Sequence, residues 1–268
     1  MLMIGIQALT KIIEHPYVEL TSRGNAAIFY ALYLAKKAGK TKVFIPDQGG
    51  WFTFKTYPAI LGMHVEVLKT DEGILNQKTI PLSSDAVLLY AQPAGYFAAQ
   101  DMESIYKQCN EKTVVIVDVS GSIGDKEVCD GQYADIMVGS FSEWKPINIG
   151  YGGFLSAKER KWLESGKEIL STNKVHPSLP DELQKRLTGI SERYTFFYKT
   201  AERVKKDLSS YNILRPDKKG INVVVAYHNE KEKKGIIEYC NNHKFEYTLC
   251  PRYIRVKRPA VSIEIKRL

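Results

Sequence analysis

The chain has 268 residues, of which 44% are hydrophobic and 25% charged, and its formal net charge is +8. This length suits one large domain with a small appendix, or two domains, and the ordinary composition excludes intrinsic disorder, collagen-like repeats and disulfide scaffolds. The longest apolar run, Ala26 to Ala35, is only half of the ~20 residues that span a bilayer, so we expect no membrane segment.

The N-terminus has no basic region or small-residue cleavage site, so we expect no signal peptide. The cysteines lack C-x-x-C spacing, and no histidine cluster accompanies them, which predicts reduced thiols, a cytoplasmic location and no metal site. They stand at Cys109, Cys129, Cys240 and Cys250.

The positive charge is concentrated in the last quarter of the chain. Residues 199–268 contain 17 Lys and Arg against 8 Asp and Glu, whereas residues 1–198 are nearly neutral. A solvated, lysine-rich surface would account for this excess. Attraction of an anionic partner, such as a nucleotide-linked substrate or RNA, is the alternative, with RNA the less favoured of the two.

Short apolar runs alternate with helical patterns through the first 160 residues. This alternation predicts an α/β fold with a mostly parallel sheet and helices on both faces. Helices are expected at Gly24–Gly39, Trp51–Leu61 and Ala99–Cys109, and strands at Val43–Ile45, His64–Leu68, Ala86–Tyr90, Thr113–Asp118, Asp135–Gly139 and Gly153–Ser156.

A different pattern follows residue 180. A long helical period covers Asp181 to Leu208, and a turn-rich break separates it from a small α+β module. We therefore expect a large domain over residues 1–211 and a small C-terminal domain over residues 212–268. The expected elements of that module are strands at Ile221–Ala226, Tyr253–Val256 and Val261–Ile265 and a helix at Glu230–Cys240.

Four features stand where an open α/β sheet binds ligands, beyond the carboxyl ends of its strands. Asp118 ends a buried strand, and Lys145 follows the next one. The helix that begins near Gly24 offers free N–H groups to a phosphate, and Trp51 offers a flat aromatic surface. A phosphate cradle, a buried acid, a lysine and a stacking ring are what pyridoxal 5'-phosphate (PLP) requires.

The order of these motifs resembles fold-type I PLP enzymes, and most of all the DegT-like sugar aminotransferases, of which this chain would be a shortened member. The similar stretches are Thr21–Ala26, Pro46–Trp51, Val117–Gly124, Ser140–Lys145 and Gly150–Gly153. The stretch after the aspartate, Val119-Ser120-Gly121, departs from the family pattern because no large side chain follows there.

The resemblance implies a PLP-dependent aminotransferase in which Lys145 forms the Schiff base and Asp118 pairs with the pyridine nitrogen. It also implies that Trp51 stacks on the ring, and that three residues bind the phosphate: Gly24, Asn25 and Ser140. The amino donor's carboxylate needs an arginine, for which Arg255 and Arg258 are candidates. A homodimer, in which each subunit completes the other's site, is the assembly typical of the family.

Two other functions remain open at this point. The chain would also suit different PLP chemistry, as a lyase, a desulfurase or an enzyme converting a tRNA-linked amino acid. The other alternative is a PLP-binding or regulatory subunit without catalytic activity. The aminotransferase prediction involves small-molecule partners, an amino acid donor and a keto acceptor such as a nucleotide-linked sugar.

Overall fold

The computed structural model describes residues 2–109 and 112–268. The helices in these ranges are α1 (Leu2–Ile13), α2 (Gly24–Lys37), α3 (Thr53–Ile60), α4 (Met102–Cys109), α5 (Arg160–Ser165), α6 (Lys167–Leu170), α7 (Leu179–Thr188), α8 (Ile190–Asp207) and α9 (Glu230–Asn242). The strands are β1 (Tyr17–Thr21), β2 (Lys42–Pro46), β3 (His64–Leu68), β4 (Thr70–Asp71), β5 (Ile74–Leu75), β6 (Ala86–Ala91), β7 (Val114–Asp118), β8 (Ile136–Ser140), β9 (Gly153–Ala157), β10 (Asn212–Ile213), β11 (Val223–Ala226), β12 (Tyr247–Cys250) and β13 (Ala260–Ile263).

Seven strands form the large sheet, in the order β1-β9-β8-β7-β6-β2-β3. The five strands from β8 to β3 run parallel; β9 is antiparallel to β8, and the edge strand β1 is antiparallel to β9 and so runs in the same direction as the five. Alternate residues of β2 pack on opposite faces of the sheet. Val43 and Ile45 pack in the core that includes α2, whereas Phe44 packs in the core that includes α7 and α8. Because both of their faces are covered, the central strands β2, β6, β7 and β8 are almost entirely apolar, and the expected fold class is confirmed.

The long helical period after residue 180 is divided in the structure. Helix α7 ends at Thr188 and α8 begins at Ile190, with Gly189 between them in a non-helical conformation. Glycine has a low helix propensity, which explains the break at this position. The structure also contains elements that the sequence did not predict, among them the N-terminal helix α1 and the edge strand β1.

The C-terminal sheet is antiparallel, in the order β10-β11-β13-β12. The expected strand at Tyr253–Val256 is wrong, and the strand that borders β13 is instead β12. A tight turn takes its place, since the Arg252 amide donates to the Val256 carbonyl and the Arg255 amide donates to the Arg252 carbonyl. These local bonds turn the chain back on itself, although the side chains of Arg255 and Val256 are buried.

No helix among the described residues is long and apolar enough to cross a membrane.

Candidate active site

A cavity of about 270 Å³ opens at the carboxyl ends of β7 and β8, beside the start of α2. All six residues predicted to bind the cofactor line it. They are Gly24, Asn25, Trp51, Asp118, Ser140 and Lys145. The topology explains this convergence because neighbouring parallel strands end at the same edge of a sheet, where ligand sites of α/β folds lie.

The start of α2 forms one wall of the cavity and approaches β8 closely. A Cβ atom added to Gly24 would lie 2.5 Å from the Cβ of Ser140, so only glycine allows this approach. The hydroxyl of Ser140 is within 2.9 Å of the Ser142 hydroxyl, and both line the cavity. Free amides of the first helical turn, two hydroxyls and the exposed Arg23 make this wall suitable for a phosphate.

Asp118, the last residue of β7, is 8% exposed. Its Oδ1 accepts hydrogen bonds from the Ser120 amide (3.0 Å) and hydroxyl (2.6 Å). Burial raises the pKa of Asp118, although these bonds and the charge of Lys145 act in the opposite direction. Among the described residues no donor reaches Oδ2, so a cationic ligand group could pair with this oxygen.

Lys145 lies in the loop between β8 and β9. The amides of Ile149 and Gly150 donate to the Phe141 carbonyl (2.9 and 3.0 Å), which closes this loop. The Nζ of Lys145 lies 5.2 Å from the centre of the Trp51 ring.

The Trp51 ring is fixed at the cavity by its own hydrogen bond. Its Nε1 donates to the Asn25 side chain (2.9 Å), at the start of α2. An aromatic plane therefore stands beside the lysine amine and next to the wall suited to phosphate.

Sequence reasoning missed several cavity residues, most notably Tyr96, which accepts a 2.8 Å hydrogen bond from the Lys145 Nζ. Arg23, Ser120 and Tyr151 also line the cavity. The contact with Ser120 was recognisable in principle, since an aspartate side chain often accepts a hydrogen bond from the backbone amide two residues further on. Tyr96 carries no such local signal because its position depends on distant parts of the chain.

The two arginines predicted to bind a substrate carboxylate do not line this cavity. Arg255 is 2% exposed, and its guanidinium is already paired with the carboxylate of Glu264 (2.7 Å). Arg258 instead pairs with Glu72 (2.7 Å) and borders a separate surface depression. A buried guanidinium that is neutralised by an internal carboxylate is unavailable to a substrate, so the geometry opposes the predicted role of Arg255.

The polar groups of the cavity fit PLP in number and kind. They comprise an amine, a buried carboxylate, an aromatic face and a wall of amides and hydroxyls, within a space near the small end of ligand pockets, about 300 Å³. In the described part of the chain, no group of three or more His, Cys, Asp or Glu side chains could hold a metal ion.

Solved structures resemble this fold over nearly its whole length. PseC of Helicobacter pylori, an aminotransferase involved in the biosynthesis of pseudoaminic acid, has a TM-score of 0.74 and 15% identity, covering 98% of this chain and 85% of that chain. Alanine–glyoxylate aminotransferase of Nostoc sp. has a TM-score of 0.75 and 15% identity, covering 98% and 80%. A DegT DnrJ EryC1 StrS aminotransferase of Brucella abortus has a TM-score of 0.74 and 13% identity, covering 97% and 83%.

Sequence comparison adds one match in the C-terminal part. A family model described as the MJ1341 family C-terminal domain matches residues 191–268. No curated protein sequence matches the chain. The structural neighbours establish that this chain has the fold of the fold-type I, DegT-type aminotransferases.

Proposed function

We propose that the protein is a PLP-dependent aminotransferase of the DegT type. The observation that carries the proposal is the convergence, in one cavity, of a lysine amine, a buried carboxylate, an aromatic plane and a phosphate-suited helix start. The neighbours are named aminotransferases, which supports the same conclusion.

Each group in the cavity has a place in this function. When bound, PLP supplies an aldehyde for covalent attachment and a protonated ring that withdraws electrons. Lys145 would hold the aldehyde carbon, and Asp118 would keep the ring nitrogen protonated by pairing with it through its free oxygen. Gly24, Asn25 and Ser140 would bind the phosphate, and Trp51 would cover the ring face.

Lys145 would also move the proton in the reaction. Once an amino donor had displaced it, the Nζ of Lys145 would be free inside the cavity and could take a proton from one carbon atom and deliver it to another. Asp118 suits its role because burial makes an isolated carboxylate unfavourable, and a cationic ring nitrogen would relieve that cost. Lys145 would therefore transfer the proton, and Asp118 would stabilise the charge on the ring.

The proposed substrates are an amino acid donor and a keto acceptor, with a nucleotide-linked keto sugar as the acceptor class. The name of the Helicobacter pylori neighbour, which concerns pseudoaminic acid, supports a sugar acceptor. Arg23, exposed at the cavity wall, would attract an anionic part of such a substrate.

The assembly and location that we propose are a cytoplasmic homodimer, with residues 1–211 and 212–268 as the domains of each subunit. Exposed aromatic surface next to the cavity supports the dimer, since Phe52 is 48% exposed and its ring centre lies 5.7 Å from that of Trp51. Sedimentation at several protein concentrations tests the dimer.

The experiment for the activity is a half-reaction. The purified chain is loaded with PLP and incubated with single amino acids, and pyridoxamine phosphate is measured by chromatography. We expect its formation with at least one donor, such as glutamate or alanine, and none with Lys145→Ala. PLP binding without conversion by any donor would instead support the non-catalytic alternative.

A further inference from the structure

Tyr96 lines the cavity from the loop between β6 and α4. Its hydroxyl accepts a hydrogen bond from the Lys145 Nζ at 2.8 Å. The same Nζ lies 4.9 Å from the ring centre, which places it at the hydroxyl end of the ring. Tyr96 has a positive φ of 69°, an unusual conformation for a bulky residue, so the surrounding contacts must hold it there.

The chain leaves room for the ring immediately after Asp118. A Cβ atom added to Gly121 would lie 2.9 Å from Cδ1 of Tyr96, so any larger residue at 121 would push the ring away. The tyrosine thus packs against the segment that carries the buried carboxylate and its Ser120 partner. Tyr96, Asp118 and Ser120 also line a second, smaller cavity.

Residues of the C-terminal part of the chain contact both the backbone and the ring of Tyr96. The Tyr96 carbonyl accepts hydrogen bonds from the amides of Ile221 (2.8 Å) and Asn222 (3.0 Å). Its ring centre lies 5.0 Å from the guanidinium carbon of Arg255 and 4.9 Å from the Nζ of Lys266. The two cationic side chains beside the ring, Arg255 and Lys266, give it cation–π stabilisation as well as a fixed position.

Internal bonds hold the two C-terminal cations themselves in place. Glu264 pairs with Arg255 (2.7 Å) and with Lys266 (3.4 Å), and all three are nearly inaccessible to solvent. The Lys266 Nζ also donates to the Trp144 carbonyl (3.2 Å), in the loop that carries Lys145. The pKa of Lys266 is lowered to about 7, chiefly by burial; the charges of Arg255, Lys145 and Arg267 act in the same direction, and the Glu264 charge opposes them.

We propose that Tyr96 is a further catalytic residue, whose hydroxyl holds the free Lys145 amine during proton transfer, and that Lys266 is a positioning residue for Tyr96. The inference rests on the proposed function, since it assigns a task to the amine that this function frees. It also gives the C-terminal unit, matched by the family model from residue 191, a direct part in the site.

The chemistry follows from the direction of the hydrogen bond. A neutral amine has two N–H groups and one lone pair, and the Tyr96 oxygen engages one N–H. The lone pair stays free to take a proton from the substrate, and the resulting ammonium keeps the same acceptor. Tyr96 therefore orients Lys145 without competing for the proton, which is how a positioned base gains rate.

The first test needs no cofactor. The cofactor-free chain is labelled with trace acetic anhydride near neutral pH, and acetylation of Lys145 is measured by peptide mass spectrometry relative to exposed Lys107. In Tyr96→Phe the ammonium form loses its acceptor, so we expect Lys145 to react about tenfold faster. An unchanged ratio would overturn the proposed contact, whether or not the chain binds PLP.

The matched control is Tyr90→Phe. Tyr90 is fully buried in strand β6, and its hydroxyl has no hydrogen-bond partner in the part of the chain that the structure describes. This substitution should leave the labelling ratio and the donor half-reaction unchanged. If Tyr90→Phe changed the labelling ratio as much as Tyr96→Phe, the change would reflect a general loss of stability and would contradict a specific contact of Tyr96 with Lys145.

The second test asks whether Lys266 acts through Tyr96. In the PLP-loaded enzyme, we expect Tyr96→Phe to lower the half-reaction rate 10- to 100-fold and to leave the amount of PLP on Lys145 unchanged. Lys266→Met should have a smaller effect, and the double variant should be no slower than Tyr96→Phe alone. Additive losses would overturn the role of Lys266, and Lys266→Gln replaces Lys266→Met if the latter fails to fold.

The two tests separate the possible failures. If wild-type chain carries no PLP on Lys145, the proposed function fails, yet the acetylation ratio still decides whether Tyr96 holds the amine. If PLP is bound and converted at equal rates by wild type and Tyr96→Phe, the proposed function stands and the catalytic role of Tyr96 is wrong.

Discussion

Gly24→Ala is the sharpest perturbation of the cavity, because this glycine lies where α2 meets β8. The added methyl would lie 2.5 Å from the Cβ of Ser140, whereas ordinary contact begins at 3.4 Å, so helix and strand must separate by about 0.9 Å. Overpacking of this kind costs typically about 1–3 kcal/mol of folding free energy. The larger effect falls on the ligand, because the amides and the Ser140 hydroxyl would no longer converge on one phosphate.

The expected loss can be worked from hydrogen bonds. Losing one bond between an amide or a hydroxyl and a charged phosphate costs about 1.5–3 kcal/mol, which corresponds to about 10- to 100-fold in Kd. The assay is fluorescence titration of the cofactor-free chain with PLP and, in parallel, with pyridoxal, which lacks the phosphate. We expect Gly24→Ala to weaken PLP binding by this factor and to leave pyridoxal binding nearly unchanged.

Gly189→Ala is the matched control for this substitution. An added Cβ at Gly189 meets no atom within 4 Å, and its φ of −104° suits other residues, so binding should be unaffected. Wild-type PLP affinity in a folded Gly24→Ala variant would refute the phosphate cradle. An equal loss for PLP and pyridoxal would place the damage elsewhere in the site.

Three further predictions concern charge. Asp118→Asn should raise the Tm of the cofactor-free chain, because burial makes the charged carboxylate unfavourable. The same substitution should slow the donor half-reaction about 100-fold or more. A lower Tm or an unchanged rate would contradict this prediction. Arg255→Met should lower the free energy of unfolding by about 3–5 kcal/mol in urea titrations, because the buried Glu264 carboxylate loses its partner. A raised KM for the amino donor at unchanged stability would instead support the predicted substrate role of Arg255. Burial lowers the pKa of His15 in the folded chain to about 4, so between pH 6.5 and 4 the unfolded chain binds more protons than the folded one. The free energy of unfolding should therefore fall by up to about 3 kcal/mol over this pH range. An equal fall in wild type and His15→Gln would contradict this assignment.

The sequence predicted best what depends on neighbouring residues in the chain. Asp118 and Lys145 each follow an apolar strand, and parallel neighbours bring their ends together, so their meeting could be foreseen. Trp51 and Gly24 lie at the same edge for the same reason, since Trp51 stands between a strand and the next helix and Gly24 begins the helix that follows a strand.

Contacts between distant segments could not be foreseen. Tyr96 is held by the amides of Ile221 and Asn222, more than 120 positions away, and nothing near Tyr96 indicates them. Arg255 was expected at the substrate because its strand was predicted where the chain forms a tight turn. That turn buries its guanidinium against Glu264, which no local pattern encodes.

Covalent capture of the cofactor tests the central claim most directly. The purified chain is incubated with PLP, reduced with borohydride and digested, and the labelled peptides are identified by mass spectrometry. The account predicts about one label per chain, on the peptide that contains Lys145, and loss of this label in Lys145→Ala. Labels spread over exposed lysines, with the Lys145 peptide unmodified, would contradict it.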